Sequence, residues 1–284
     1  DIFHVFVLAR AALLPFLLSF FSKTKYYITE VWSRYLPESN EFNGAFRKWL
    51  ARRIVDRAVG ITTVSNSLKN ALIHHGLNSR NFKVIHSVVP DDFYKTKLID
   101  LNTEKVRFLH VSCFDDPVKN ISGMLNAFKI VQDRGLDFEL ELVGEGVDLT
   151  KMVKHCDNIG LRKTTFSGKL TGDNLYGAFE AANVLVLFSN YETQGCVILE
   201  AHACGMAVIG SDIGGIPELI NDENGILVKS GDEEKLANAI TDIVTKNVAF
   251  NAERIRAKAK DRYSKDSIVQ QFLNFYDDEQ HIDY

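Results

Sequence analysis

The chain has 284 residues, 46% hydrophobic and 25% charged, with a formal net charge of -4. This is a globular composition with room for about two domains, and its slight acidity gives no electrostatic reason to expect a nucleic acid partner. The four cysteines, Cys113, Cys156, Cys196 and Cys204, show no C-x-x-C and no zinc-finger spacing with histidine, so they read as free thiols of a reducing compartment, the cytoplasm.

The first stretch, IFHVFVLARAALLPFLLSFF from Ile2 to Phe21, is apolar enough to suggest a membrane span or a signal peptide. His4, Arg10 and Pro15 argue against a span, and the acidic first residue without a basic leader argues against a signal peptide. The change near Arg10 from a β-branched and aromatic run to a Leu/Ala run predicts a strand followed by a helix, a buried βα unit. Asp1 stands directly at that strand with no methionine and no lead-in, which points to a missing upstream segment. About 80 to 100 further residues would complete a domain of normal size.

YYITE, GITTVS and FKVIHSVV follow as strands separated by helices. RKWLARR (Arg47 to Arg53) mixes basic and aromatic residues; it reads as a solvated helix face and leaves room for a peripheral membrane contact. The polar run DDFYKTKLIDLNTEK suits a linker. Residues 1–92 are thus expected to form a partial N-terminal domain, residues 93–250 a second domain, and residues 251–284 terminal helices with no strand to return to.

From Lys105 the pattern of strand, Gly or Asp turn and amphipathic helix repeats. VRFLHVS, FELELVG, TTFSG, NVLVLFS, AVIGS and GILVK are the strands, and NVLVLFS is apolar enough to be covered on both faces. The helix ISGMLNAFKIVQDRG stops at Gly135, TGDNLYGAFEAA offers Thr171 or Asp173 as a cap, and a further helix begins near Asp232. Strands alternating with helices predict an α/β fold with parallel sheets wound on both sides.

In such sheets ligands bind beyond the carboxyl ends of the strands, so the loops there carry the candidates. CFDDPVKN places Lys119 just before a helix expected to start at about Asn120, where ammonium and free N–H groups together would attract an anion. VGEGVD has Gly144 and Gly146 for close backbone approach to a ligand, but Leu149 stands where a dinucleotide fingerprint needs glycine. The loop DIGGIPELI supplies Gly214 and Gly215 ahead of Pro217.

ETQGCVILEA, Glu192 to Ala201, carries two acids eight positions apart around an apolar run. As continuous helix it would put Glu192 and Glu200 within about 80° of each other. Glu192 alone is an ordinary acid at a helix start. Glu200 lies among Val197, Ile198, Leu199, Ala201 and Ala203, where a carboxylate must be paired or face a polar ligand. One scheme joins these features: Lys119 and helix N-termini hold a diphosphate, Glu192 accepts from sugar hydroxyls, and Glu200 accepts from a ribose. There is no D-x-D and no H-x-x-x-H, so no metal site is expected.

The chain resembles the group-1 (family 4) retaining glycosyltransferases of the GT-B fold. The resemblance rests on VGEGVD, TFSGKL, the E-x7-E of Glu192 and Glu200 within SNYETQGCVILEAHACGMAVIGSDIGGIPELI, and NGILVKSGDEEKLANAI, and covers Val106 to Ile240. TEVWSRYLP and TTVSNSLKNAL look like the latter half of the family's N-terminal, acceptor-binding domain, and the tail looks like its terminal helices that cross back to that domain. The resemblance implies two Rossmann-like domains, the N-terminal one incomplete. It also implies that Glu192 contacts donor sugar hydroxyls with help from backbone N–H groups near Thr193, Gln194 and Gly195, that Glu200 holds the ribose, and that Lys119 neutralises the leaving diphosphate. Gly144, Gly146, Ser167, Gly168 and Lys169 would border the nucleotide.

The resemblance breaks at several points. Cys113 stands where the family usually has a basic residue, Val31 where many relatives have histidine, and His4-Val5-Phe6 where relatives often read H-V-H. The glycine-rich first loop of the N-terminal domain does not occur. What the resemblance implies is metal-independent, cofactor-free hexosyl transfer from a nucleotide-diphosphate sugar to a glycan or lipid-linked acceptor, in the cytoplasm or at the inner membrane face. The departures motivate an alternative, a non-catalytic sugar-nucleotide-binding remnant or scaffold; a GT-B sugar-nucleotide epimerase is the third reading. Donor base, sugar, acceptor and oligomeric state are not legible in the residues.

Overall fold

The computed structural model describes residues 2–277 apart from residues 9, 23, 102 and 104. The first elements are β1 (Ile2–Phe6), α1 (Leu13–Leu18), β2 (Lys25–Glu30), α2 (Ala45–Arg57), β3 (Gly60–Thr63), α3 (Asn66–His74) and β4 (Phe82–Val84). After α4 (Asp91–Lys95) come β5 (Val106–Val111), α5 (Asp116–Lys119), α6 (Ile121–Asp133), β6 (Phe138–Val143), α7 (Leu149–Asn158), β7 (Thr164–Gly168) and α8 (Asp173–Ala181). The last are β8 (Val184–Leu187), α9 (Cys196–Ala203), β9 (Ala207–Ser211), β10 (Gly225–Val228), α10 (Glu233–Val244), α11 (Ala252–Tyr263) and α12 (Lys265–Asp277). Two compact units result: the described residues of Asp1–Val88 with Asp266–Tyr284, and Val89–Lys265.

The first unit is a four-stranded sheet in the order β1-β2-β3-β4, parallel throughout. Its two inner strands are buried, β3 throughout and β2 at Tyr26, Tyr27, Ile28, Thr29 and Glu30. α12 packs Ile268 and Phe275 on Tyr27 and Ile85, which makes that helix part of this unit. Glu30 is a fully buried carboxylate at the end of β2. Burial raises its pKa, while hydrogen bonds donated by the N–H groups of Leu8 (2.8 Å), Val31 (2.9 Å) and Trp32 (2.9 Å) oppose that shift and hold the following loop.

The strand and helix expected in Ile2 to Phe21 both form, but they are not the buried unit that their apolarity suggests. Ile2, Phe6, Leu14, Leu17, Phe20 and Phe21 are exposed, because β1 pairs among the described residues only with β2 and lies at a sheet edge. No helix among the described residues is long and apolar enough to cross a membrane. FKVIHSVV is a strand only over Phe82–Val84.

The second unit holds a six-stranded parallel sheet in the order β10-β9-β8-β5-β6-β7. Alternation along the strands sorts its apolar side chains between two faces. Val106, Phe108, Leu140, Leu142, Val184, Val186 and Ile209 meet α6, α7 and α10 on one side. Leu109, Val143, Leu185, Leu187 and Val208 meet α8, α9 and α11 on the other. Because β5 adjoins β8 while the chain runs from β5 outward through β6 and β7, the winding reverses between those two strands.

Three local expectations change. DDFYKTKLIDLNTEK is not a bare linker: it carries α4 and buries Phe93 and Ile99 in the second unit, with Phe93 edge-on to Tyr176 and Phe179. The division therefore falls after Val88 instead of at residue 92. α8 is preceded by Gly172 at φ +55° and has no side-chain cap, so neither Thr171 nor Asp173 serves as one. The terminal helices do not both belong with the N-terminal unit: the chain breaks at Ser264, α11 stays with the second unit and only α12 joins the first.

Candidate functional site

All six strands of the larger sheet run parallel, so the loops after them open on one edge, and those after β5 and β8 flank the winding reversal where such sheets hold ligands. There Lys119 Nζ meets Glu192 Oε2 at 2.5 Å, the two side chains only 14% and 15% exposed. Residues 73 apart in sequence are thus brought together without any shared element.

Lys119 is placed by a tight supporting frame. It ends the four-residue α5, and Asn120 then takes a left-handed conformation (φ +47°) before α6 starts at Ile121. Asp116 accepts from Ser122 N and Ser122 Oγ, both at 2.8 Å, and donates its own N–H to Asp148 at 2.9 Å. Asn190, from the β8 loop, donates its N–H to the carbonyl of Val118 (2.8 Å) and its amide to that of Pro117 (3.0 Å). Asp116 therefore already occupies one first-turn N–H of α6, so the helix start that was expected to share an anion with Lys119 is partly taken. Sequence reasoning assigned no role to Asp116 or Asn190; the D-D-P and S-N pairs were the signal.

Glu192 is not on the helix that leads to Glu200. α9 begins only at Cys196, after Gly195 at φ +83°, so the helical phase relation between the two acids does not hold. Glu192 is seated instead by the loop after β9. Gly215 N–H donates to the Glu192 carbonyl at 3.2 Å, and a Cβ on Gly214 would lie 2.0 Å from the same oxygen, with φ at +58°. Glu192 Oε1 accepts from Thr193 N at 3.2 Å. Gln194 is buried beside it.

Glu200 lies on α9, mostly buried, and its carboxylate takes no hydrogen bond or ion pair among the described residues. Burial pushes its pKa up to about 7. This is the unsatisfied acid that the apolar composition of the stretch predicted. His110, fully buried on β5, binds the Val186 carbonyl and Ser112 Oγ, and burial lowers it to about 4, so it stays neutral beside Lys119.

The glycines of VGEGVD have an internal reason. A Cβ on Gly144 would sit 1.8 Å from the Ser112 carbonyl oxygen, and one on Gly146 would sit 2.5 Å from Phe114 backbone atoms. Their close backbone approach is to the loop after β5, which they brace. Ser167 Oγ donates to Glu141 at 2.5 Å, Lys169 pairs with Glu145 at 2.6 Å on the surface, and Gly168 accepts from Gly144 N at 2.8 Å while at φ +66°. Cys113 is exposed in the same loop system.

Residues 96–262 match the family model described as glycosyl transferases group 1. The chain is 29% identical over 242 residues to N-acetyl-alpha-D-glucosaminyl L-malate synthase of Bacillus anthracis, an alignment covering 81% of this chain and 62% of that protein. It is 25% identical over 275 residues to sulfoquinovosyl transferase SQD2 of Arabidopsis thaliana, covering 89% and 50%. Among solved structures, Anabaena Alr3699/HepE in complex with UDP superposes with a TM-score of 0.82 at 22% identity, over 97% of this chain and 79% of that one. The fold is thus that of these proteins, and the chain spans 50–62% of the length of the two curated relatives.

Proposed function

Since the chain belongs to the group 1 glycosyl transferases, we propose that it carries the donor site of a retaining hexosyltransferase using a nucleotide-diphosphate sugar and a glycan or lipid-linked acceptor. The observation that carries this reading is the meeting of Lys119 and Glu192 at the reversal of the sheet, a cation for phosphate beside an acceptor for sugar hydroxyls. The UDP bound by the Anabaena protein favours a pyrimidine nucleotide as the first donor to try.

In this reading Lys119 neutralises the departing diphosphate, so neither metal nor cofactor is required. The bond between the anomeric carbon and the phosphate oxygen breaks, and the acceptor oxygen bonds that carbon from the same face. The acceptor proton passes to the leaving phosphate. Stabilising the charge that develops on the phosphate is then the main catalytic work. Glu192 holds the sugar, with Thr193, Gln194 and Gly195 around it; Glu200 takes the ribose; Gly144, Gly146, Ser167, Gly168 and Lys169 border the nucleotide. The test is nucleoside diphosphate release from a panel of UDP- and GDP-sugars with and without acceptor glycans. Release that requires an acceptor supports transfer, binding without release marks a remnant lacking activity, and conversion to another sugar nucleotide without acceptor marks an epimerase.

The assignment of Glu200 gives a pH effect with a definite sign. Its pKa in the ligand-free fold is raised to about 7, so its ionisation costs stability as pH rises from the ordinary carboxylate range through that value. Ribose hydroxyls donating to it favour the ionised form. Nucleotide binding should therefore release a proton at pH 6, visible as a dependence of calorimetric heat on buffer ionisation enthalpy. The release should vanish in Glu200→Gln; equal release in that variant would remove the ribose role.

A peripheral membrane contact would suit a lipid-linked acceptor. α2 carries Arg47, Lys48, Arg52, Arg53 and Arg57 against one acid, Asp56, and exposes Phe46 (72%) and Trp49 (52%), whose rings stack. Flotation with vesicles should show binding to phosphatidylglycerol-containing and not to neutral vesicles, lost in Phe46→Ser/Trp49→Ser; indifference to lipid charge would exclude it.

A further inference from the structure

We infer that the Lys119–Glu192 ion pair makes this site discriminate a nucleotide sugar from the bare nucleoside diphosphate, with Glu192 acting as the anion that the bare diphosphate must displace. The inference rests on the donor-site assignment proposed above. Each charge is the other's counter-ion: Nζ to Oε2 is 2.5 Å, both side chains are largely buried, and among the described residues the second carboxylate oxygen accepts only from the Thr193 N–H at 3.2 Å. The backbone of Glu192 lies against Gly214 and is tied by Gly215 N–H, which fixes the point from which the carboxylate reaches Lys119.

A diphosphate that takes the Lys119 ammonium leaves a mostly buried carboxylate without its cation and adds a like charge beside it, which is costly away from bulk water. Bare nucleoside diphosphate offers Glu192 nothing in return. A nucleotide sugar places hydroxyls at the same point, and their O–H groups donate to the carboxylate in place of the ammonium. The exchange is therefore balanced for the donor and unbalanced for the product, which is discrimination by an element that penalises the wrong ligand. The consequence is that product leaves without having to be bound as tightly as donor.

The test measures Kd by calorimetry for UDP and UDP-glucose, and in parallel for GDP and GDP-mannose, on the full chain. Glu192→Gln keeps the shape and one acceptor oxygen but removes the competing charge. It should tighten nucleoside diphosphate binding on the order of tenfold, the size of one well-placed charge interaction, with less change for the sugar nucleotide, so that the ratio of the two affinities collapses. Glu192→Asp, which keeps the charge but draws it back from Lys119, should fall between, and it serves as the measurement if thermal unfolding shows the glutamine variant misfolded. Lys119→Met should weaken both ligands. If the wild type binds both ligands and Lys119→Met weakens both, unchanged or weaker nucleoside diphosphate binding in Glu192→Gln overturns the discrimination while leaving the donor site intact. If the wild type binds none of the four, or Lys119→Met alters none, the donor site itself falls and the discrimination with it.

Discussion

Replacing Lys119 by alanine is expected to lower turnover with a nucleotide-sugar donor by about 10²–10³-fold, the range seen when one preorganised charge-stabilising group is removed from a developing anion. The reason is positional. Lys119 is held by Asp116 and Asn190 through α5, and its ammonium sits at the sheet reversal with a single carboxylate, among the described residues, as partner. Truncation also strands Glu192, 15% exposed, with no cation, which should cost on the order of 1–3 kcal/mol of stability. The two effects separate in a double-mutant cycle. Adding Glu192→Ala to Lys119→Ala should recover stability, since both partners are then gone, and should not recover turnover. Lys119→Arg should restore only part of the rate, because a planar fork cannot reproduce a point ammonium in a frame built for the shorter group. Steady-state kinetics and thermal unfolding of the four proteins would check this; turnover that recovers with stability would reduce Lys119 to a structural residue.

Gly214→Ala should be a damaging single methyl group beside Glu192. Its φ of +58° disfavours any side chain, and the added Cβ would lie 2.0 Å from the Glu192 carbonyl oxygen and 3.0 Å from its carbon. One of the two backbones must move. Strain and displacement together should cost about 2–4 kcal/mol, lowering Tm by on the order of 5–10 °C. Because the atom struck belongs to Glu192, donor affinity should fall as well, as the carboxylate is carried away from Lys119. Gly177→Ala in α8 is the control: nothing among the described residues lies within 4 Å of its Cβ position, and a helix-interior alanine should leave stability unchanged or raise it by up to about 1 kcal/mol. Melting curves and nucleotide calorimetry on the two variants decide the matter, and a Gly214→Ala protein that melts and binds like the Gly177→Ala control would show that the loop after β9 does not seat Glu192.

Much of the architecture was legible because it depends on neighbours in sequence. The run NVLVLFS has no polar side, so it had to be a strand covered twice, and β8 is fully buried between two helical layers. The helix start near Asp232 is equally local, its side chain accepting from the N–H of Lys235, whereas the cap read at Thr171 or Asp173 is absent because Gly172 at φ +55° precedes α8. The exposure of β1 and α1 was not legible: apolarity says that a segment favours burial, while burial itself depends on how many strands adjoin it, and β1 adjoins one among the described residues. The buried turn at Phe93 was missed for the converse reason, since two aromatic residues in a charged run do not reveal that Tyr176 and Phe179 await them.

For the candidate site the division is sharper. Residue types and order singled out Lys119, Glu192 and Glu200, because a lysine beside a helix start and an acid in an apolar helix are each chemically marked. The tertiary structure decided that Glu192 stands off the helix, that its partner is Lys119, and that Glu200 remains without one among the described residues. The physical reason is that helix and strand follow from periodicity within a few residues. The place of a loop carboxylate instead follows from what other segments bring against it, here the backbone of the loop after β9 and the Lys119 side chain from the segment after β5.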